Sequence, residues 1–181
     1  IAIEPKYDMA YSFTDGLALV SEGGREGFID TDGNYVIKLT DKVDYASFSD
    51  GYALIRKGNK WGFIDKKGNI VIKPAFYGAA DFKEGFASIM EKVGDKYLSG
   101  YINKKGKMIT KAIYEEVDDF QEGMACVKKN GKYGFINKKG KLVVNAIYDN
   151  AFSYENGLAY VAKGSNAYFI DKTGKKVITI K

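Results

Sequence analysis

Apolar positions along this chain fall in short runs broken by Gly, Asx and Lys, and the runs return in phase. A Gly-aromatic-Ile-Asp/Asn phrase occurs as Gly27-Phe28-Ile29-Asp30, Gly62-Phe63-Ile64-Asp65, Gly100-Tyr101-Ile102-Asn103 and Gly134-Phe135-Ile136-Asn137. A fifth version, Tyr168-Phe169-Ile170-Asp171, has lost its Gly. An aromatic-x-x-Gly-apolar-Ala phrase precedes each of them: Phe13 to Ala18, Phe48 to Ala53, Phe82 to Ala87, Phe120 to Ala125 and Tyr154 to Ala159. Self-similarity at a fixed period marks a repeat architecture. Five copies, approximately residues 5–38, 39–73, 74–111, 112–145 and 146–181, make one repeat domain spanning 1–181.

Each copy reads as three β-strands. The first runs from the Gly through the Ala, as in Gly123-Met124-Ala125-Cys126-Val127; the second carries Gly-Phe-Ile-Asp; the third is β-branched, as in Asn69-Ile70-Val71-Ile72. Asp/Asn-x-x-Gly separates second from third strand in every copy (Asp30 to Gly33, Asp65 to Gly68, Asn103 to Gly106, Asn137 to Gly140, Asp171 to Gly174). An Asx side chain accepts from the backbone two residues on and Gly supplies a positive φ, so these are turns. Gly-Gly, Lys-Gly-Asn-Lys or Lys-Asn-Gly-Lys between first and second strands reads as a hairpin turn. The expected copy is a three-stranded antiparallel meander followed by a connecting segment. Copy three carries extra residues in Glu91 to Ser99, expected to form a loop that tolerates insertion.

Adjacent apolar pairs such as Phe63-Ile64 and Val143-Val144 predict sheets covered on both faces. Ala18, Ala53, Ala87, Ala125 and Ala159 predict a place where neighbouring copies crowd together. The expected fold is all-β, with blade-like units stacked face to face as an open β superhelix or solenoid, or as a small propeller-like array. Phe28, Phe63, Tyr101, Phe135 and Phe169 should then share one environment. The opening Ile1-Ala2-Ile3-Glu4-Pro5 matches Val71-Ile72-Lys73-Pro74, and the chain also ends in a third-strand segment, Val177-Ile178-Thr179. Such ends either pair to close a ring or mark a longer array cut at a repeat boundary.

The run Gly58-Asn59-Lys60-Trp61-Gly62-Phe63-Ile64-Asp65-Lys66-Lys67-Gly68-Asn69-Ile70-Val71-Ile72-Lys73-Pro74 resembles the bacterial WG (KWG) repeat, and the resemblance extends over all five copies. It implies a tandem β-rich module, often surface-associated or exported, with no established catalytic residues. Copy two alone keeps Trp-Gly; the others have Glu26-Gly27, Ser99-Gly100, Tyr133-Gly134 and Ala167-Tyr168.

Composition narrows the chemistry. The chain has 21 Gly against two Pro, as a turn-rich β protein requires, and no His, which removes the commonest general base and metal ligand. Asp30, Asp65 and Asp171 recur in register and read as turn residues rather than catalytic acids. Cys126 stands where other copies have Leu19, Leu54, Ser88 and Tyr160 and reads as a packed strand residue. Asp30-Thr31-Asp32-Gly33-Asn34 resembles part of a calcium loop, but Asp41 replaces the distal Glu such a loop needs. Neither catalytic residues, nor a metal, nor a cofactor is expected. No apolar stretch is long enough for a membrane span. The start lacks both Met and an apolar leader, the expectation for a processed form or excised fragment.

The formal net charge of +5 is distributed unevenly, with hairpin tips basic and connecting segments acidic. The Asx-turn end neighbours acidic strand starts such as Glu84-Gly85 and Glu122-Gly123, whereas the first-turn end looks poor in balancing acids. Arg56, Lys57, Lys60 and Trp61 in copy two recur there as Lys128, Lys129, Lys132 and Tyr133 in copy four. These eight are the candidate binding residues, for a protein or an anionic surface polymer and, less favourably, nucleic acid. The same tips also suit edge protection, since exposed Lys discourages strand pairing between molecules. The expected function is a non-enzymatic binding or scaffold module, outside the cytoplasm or at a bacterial surface. The alternative is a carbohydrate- or peptidoglycan-binding module using exposed aromatics.

Overall fold

The computed structural model describes residues 3–39 and 47–180. Every regular element among them is a β-strand. The chain divides into two compact units, Ile1–Phe82 and Lys83–Lys181. The first holds two four-stranded antiparallel sheets: Met9–Ala10, Ala18–Glu22, Arg25–Ile29, Tyr35–Lys38, then Phe48–Ser49, Tyr52–Lys57, Lys60–Asp65, Ile70–Phe76. The second holds the meander Phe86–Val93, Lys96–Asn103, Met108–Tyr114 and two further four-stranded sheets. These are Glu116–Val117, Met124–Lys129, Lys132–Asn137, Leu142–Tyr148 and Asn150–Ala151, Ala159–Lys163, Asn166–Ile170, Lys176–Ile180.

The three-stranded meander expected from sequence therefore gains a short fourth strand drawn from the connecting segment. Its cause is a second hairpin concealed in the aromatic-x-x-Gly phrase. Asp15-Gly16, Asp50-Gly51, Glu84-Gly85, Glu122-Gly123 and Asn156-Gly157 all have positive φ at both residues, at 51–54° for the first and 82–89° for the Gly. That pair of left-handed residues is the backbone of a tight hairpin turn, which folds the connecting segment back along the first strand. Each turn closes through reciprocal backbone bonds such as Gln121 with Met124 and Glu155 with Leu158.

The Gly of the Gly-aromatic-Ile-Asp phrase has a steric cause. In copies two, three and four the third strand bulges beside it, between Trp61 and Phe63, Ser99 and Tyr101, and Tyr133 and Phe135. A Cβ on Gly62 would lie 2.4 Å from the Ile72 carbonyl oxygen, and one on Gly134 would lie 2.5 Å from that of Val144. Copy five, whose phrase has Tyr168 in place of the Gly, runs past in register, Tyr168 facing Thr179 and Phe169 facing Ile178.

Three other expectations need correction. The extra residues of copy three form no loop; they lengthen the hairpin, with Glu91 facing Leu98 and Lys92 facing Tyr97 around a Gly94-Asp95 turn. That turn needs only the positive φ of Gly94, so β-forming neighbours extend the ladder. The third strands are not covered on both faces: Val144 is buried but Val143 exposed, and Ile72 is buried but Val71 exposed. They are edge strands whose alternate residues face outward. Finally, Phe28, Phe63, Tyr101 and Phe135 are fully buried, whereas Phe169 is half-buried.

Within each unit the copies stack through these rings and the small Ala residues, all five of which are buried. One core joins Leu19, Phe28 and Ile37 of copy one to Phe48, Ala53 and Ile64 of copy two. Another joins Cys126, Phe135 and Val144 of copy four to Tyr154, Ala159, Val161 and Ile170 of copy five. A third joins Tyr101 of copy three to Phe120, Ala125, Val127 and Ile136 of copy four. In copy one the face formed by Ala18, Val20 and Ile29 is covered by Ile3 and Tyr7 instead. Residues 1 and 2 of the opening segment lie outside the described residues.

Candidate functional site

The eight candidate residues occupy two hairpins, one in each unit. In copy two, Arg56 faces Trp61 and Lys57 faces Lys60 across a two-residue turn that begins with Gly58 in a left-handed conformation. In copy four the partners are Lys128 with Tyr133 and Lys129 with Lys132, around Asn130-Gly131. Strand pairing thus brings each cation set and its aromatic into one ladder, as the recurrence of residues predicted. Lys57, Lys129 and Lys132 are exposed; Trp61 and Tyr133 are half-buried.

The aromatic faces carry cations. The Arg56 guanidinium lies 5.7 Å from the Trp61 ring centre, Lys60 Nζ is 3.0 Å from that of Tyr77, and Lys128 Nζ is 5.1 Å from that of Tyr133. Attraction to the ring quadrupole holds such groups over the ring. A hollow of about 160 Å3, lined by Ile37, Ile55, Arg56, Lys57 and Pro74, opens beside the copy-two hairpin.

Counter-charge surrounds the copy-four tip. In copy four, Lys128 Nζ donates to Glu116 Oε1 at 2.6 Å and the Tyr133 hydroxyl to Glu116 Oε2 at 2.6 Å. Lys132 pairs with Asp149, and Gly131 N–H donates to Glu115 Oε2 at 2.9 Å. Lys128 and then Tyr133 hold the Glu116 carboxyl below its usual range, while Glu116 pushes the Tyr133 hydroxyl upward. The first-turn end of copy four is therefore not poor in acids. Its three carboxylates come from the neighbouring connecting segments, which the fourth strand brings alongside. The device recurs, as Asp8 accepts from Gly23 N–H and Asp149 from Gly164 N–H, both at 2.7 Å.

The Asx-turn end behaves as its charges predicted. Asp30, Asp65, Asn103, Asn137 and Asp171 each accept N–H groups two and four residues on, at 2.9–3.1 Å. The backbone N–H of Asn34 holds Asp30 below the usual carboxylate range, as the side chains of Asn69 and Thr173 hold Asp65 and Asp171. The Asp30 carboxylate is thus engaged in its own turn; Asp41 lies outside the described residues. Lys138 and Lys172 pair with Glu84 and Glu122, each at 3.1 Å. Burial, with Asp118 and Glu116 nearby, pushes the Cys126 thiol up to about 12, which suits a packed strand residue and not a nucleophile.

A family model for the WG containing repeat matches residues 1–25, 27–61, 61–97, 100–133 and 133–166. No curated protein matches the chain. Among solved structures, Hsv2p of Kluyveromyces lactis, a β-propeller, is similar at a TM-score of 0.55 and 12% identity, over 93% of this chain and 62% of that one. The K. lactis Hsv2 structure with complete loop 6CD gives 0.57 and 10%, over 97% and 65%. The chain spans under two thirds of these structures, and at such identity the likeness is one of fold: antiparallel β-blades of propeller type.

Proposed function

Because the chain belongs to the family of WG-containing repeats, we propose that it is a non-enzymatic binding or scaffold module engaging an anionic partner through its hairpin tips. The partner is a surface polymer or an acidic protein segment, met at the cell surface. The observation that carries this reading is the copy-two hairpin. Arg56, Lys57 and Lys60 surround Trp61 and Tyr77, beside a hollow lined in part by Arg56 and Lys57. Copy four supplies a second version, its cations shared with Glu116 and Asp149. Cations over the faces of Trp61, Tyr77 and Tyr133 favour charge recognition over sugar stacking, which needs an open ring face. Replacing Lys57, Lys60, Lys129 and Lys132 together by Glu should abolish adsorption to teichoic acid or dextran sulfate at low salt, with circular dichroism unchanged. Equal adsorption by parent and variant, or none by the parent, refutes the reading and leaves the tips as edge protection.

A further inference from the structure

The Asx turns of copies three and four carry cations that the fold does not use. Each turn needs an acceptor at its first residue, and Asn103 and Asn137 meet that need as Asp30 and Asp65 do. They accept the N–H groups two and four residues on at 3.0–3.1 Å, against 2.9–3.0 Å for the two acids. The residue after the Gly changes in step. Asn34 and Asn69 donate a side-chain N–H to the second oxygen of Asp30 and Asp65, at 3.4 and 3.0 Å. In copies three and four that residue is Lys107 or Lys141, of which the turn takes only the backbone N–H. An Asp and Asn pair has thus become Asn and Lys, so each turn loses a negative charge and gains a positive one while keeping its backbone hydrogen bonds.

Other lysines at this end have structural partners. Lys138 and Lys172, the first residues after the Asx, pair with Glu84 and Glu122 of the preceding copy's tight turn. Those acids also accept the N–H groups of Gly123 and Gly157. In copies two and five the Asx carboxylate interacts electrostatically with a lysine of its own turn, Asp65 with Lys67 and Asp171 with Lys175. Lys105, Lys107, Lys139 and Lys141 have no such acid. All four are exposed, and none forms an ion pair among the described residues. The tight turns alongside add Lys83 and Gln121 in copies three and four but Glu155 in copy five, so the surplus is centred on copies three and four. These two copies share a core, and Gly140 of the copy-four turn lies against the Ile109 carbonyl of copy three with no room for a Cβ. Like charges held on neighbouring turns repel, so folding gains nothing from them.

We infer that the Asx turns of copies three and four bind a linear, densely charged chain of phosphate groups through Lys105, Lys107, Lys139 and Lys141. A lysine ammonium is a compact point charge on a flexible stem and meets phosphate oxygens without a fixed orientation. Within one turn the two lysines are two residues apart, which calls for closely spaced anions. Stacked sheets lie roughly 10 Å apart, so a partner that engages both turns must be a chain and not a single phosphate. Neither turn contains an aromatic residue, so recognition rests on charge and not on stacked rings. The site lies at the opposite end of the strands from the hairpin tips and does not depend on them.

Fluorescence anisotropy of end-labelled polyphosphate, titrated with the whole chain at low salt, tests the site. Four engaged cations should give log K against log salt a slope of about −3, at roughly −0.7 for each. Replacing Lys105, Lys107, Lys139 and Lys141 together by Gln should weaken binding about tenfold or more and flatten that slope. Replacing Lys57, Lys60, Lys129 and Lys132 by Gln makes the same change in net charge and should leave polyphosphate binding nearly unchanged. Asn103→Asp with Asn137→Asp keeps every lysine and every turn acceptor, and should still weaken binding by restoring the missing counter-charge. Orthophosphate at equal total phosphate should not compete. A thymidine oligonucleotide with the same number of phosphates, whose charges are farther apart, should bind more weakly than polyphosphate. The inference is overturned by a parent that does not bind polyphosphate, by an Asn-to-Asp pair that binds as the parent does, by competition from orthophosphate, or by tighter binding of the oligonucleotide. Loss of binding in the hairpin-tip variant alone would also overturn it, and would support the hairpin tips instead.

Discussion

Two residues of one strand in copy four have opposite surroundings. Phe135 is fully buried beneath Tyr154, whereas Tyr133, two positions earlier on the same side of the strand, rests half-buried at the hairpin tip with its hydroxyl on Glu116. At the first position every copy keeps an aromatic; at the second the copies read Glu26, Trp61, Ser99, Tyr133 and Ala167. The junction is constrained by the neighbouring copy's ring, and the tip only by its own ladder. Repetition therefore reports how the blades stack, and departures from it mark positions that stacking leaves open. The Trp that gives the family its name stands at this less constrained position, as Trp61 alone in this chain.

Perturbing the junction should have the largest effect. Phe135→Ala removes a ring packed against Tyr154 and leaves a cavity in the core joining copies four and five, a change that costs about 3–5 kcal/mol. Urea denaturation should show it as a large fall in midpoint. Gly134→Ala tests the backbone side of the same place, where a Cβ would meet the Val144 oxygen at 2.5 Å and the Ala146 nitrogen at 2.7 Å. It should destabilise by about 1–3 kcal/mol, the usual range for overpacking. If it folds as stably as the parent, the bulge is not the reason for the Gly.

An intermediate effect is expected where junction and Asx turns depend on charge. Asp30, Asp65 and Asp171 are held below the normal carboxylate range by hydrogen bonds to their ionised forms. Lys172 lowers Glu122 likewise, while in Glu84 burial is outweighed by the Gly123 N–H and Lys138. A depressed folded-state pKa gives stability that is fully present above the unfolded-state value and is lost as pH falls through the folded-state value. Thermal unfolding should therefore be nearly flat from neutral pH to about pH 5 and decline below about pH 4. A midpoint that instead rises on acidification below pH 4 would show that these carboxylates oppose folding.

Most of the blade was legible in the residues, because turn chemistry repeats with few substitutes. The five Asx turns, the second strand and the crowded Ala positions were all readable from one copy and checked by the other four. The Asp-Gly, Glu-Gly and Asn-Gly pairs carried an equally strong hairpin signal, but their place just before an apolar run gave the appearance of a strand start. Missing that turn meant missing the fourth strand, and with it Glu115, Glu116 and Asp149 beside the copy-four tip. Those acids lie about 15 residues from the hairpin turn they serve, so only the strand pairing reveals them. Phe169 departs from the shared environment for another reason: a repeat phrase says how a copy is built, not what packs against it.

The smallest structural effect, and the one closest to function, belongs to Glu116→Gln. The carboxylate is exposed and shared by Lys128 and Tyr133, so its loss should change stability by less than about 0.5 kcal/mol, as for surface ion pairs generally. The Tyr133 hydroxyl should move back toward the ordinary tyrosine range, since its hydrogen bond to Glu116 is the first cause of its raised pKa. Selective NMR labelling of tyrosine through an alkaline titration would follow that shift. Binding should change in the opposite sense to a damaging mutation: with one counter-charge removed, the copy-four tip gains net positive charge. Adsorption to dextran sulfate at low salt should strengthen, and the gain should disappear as added salt screens exposed charges beyond ~8 Å. Weaker adsorption would mean that Glu116 positions Lys128 and Tyr133 for the partner rather than competing with it.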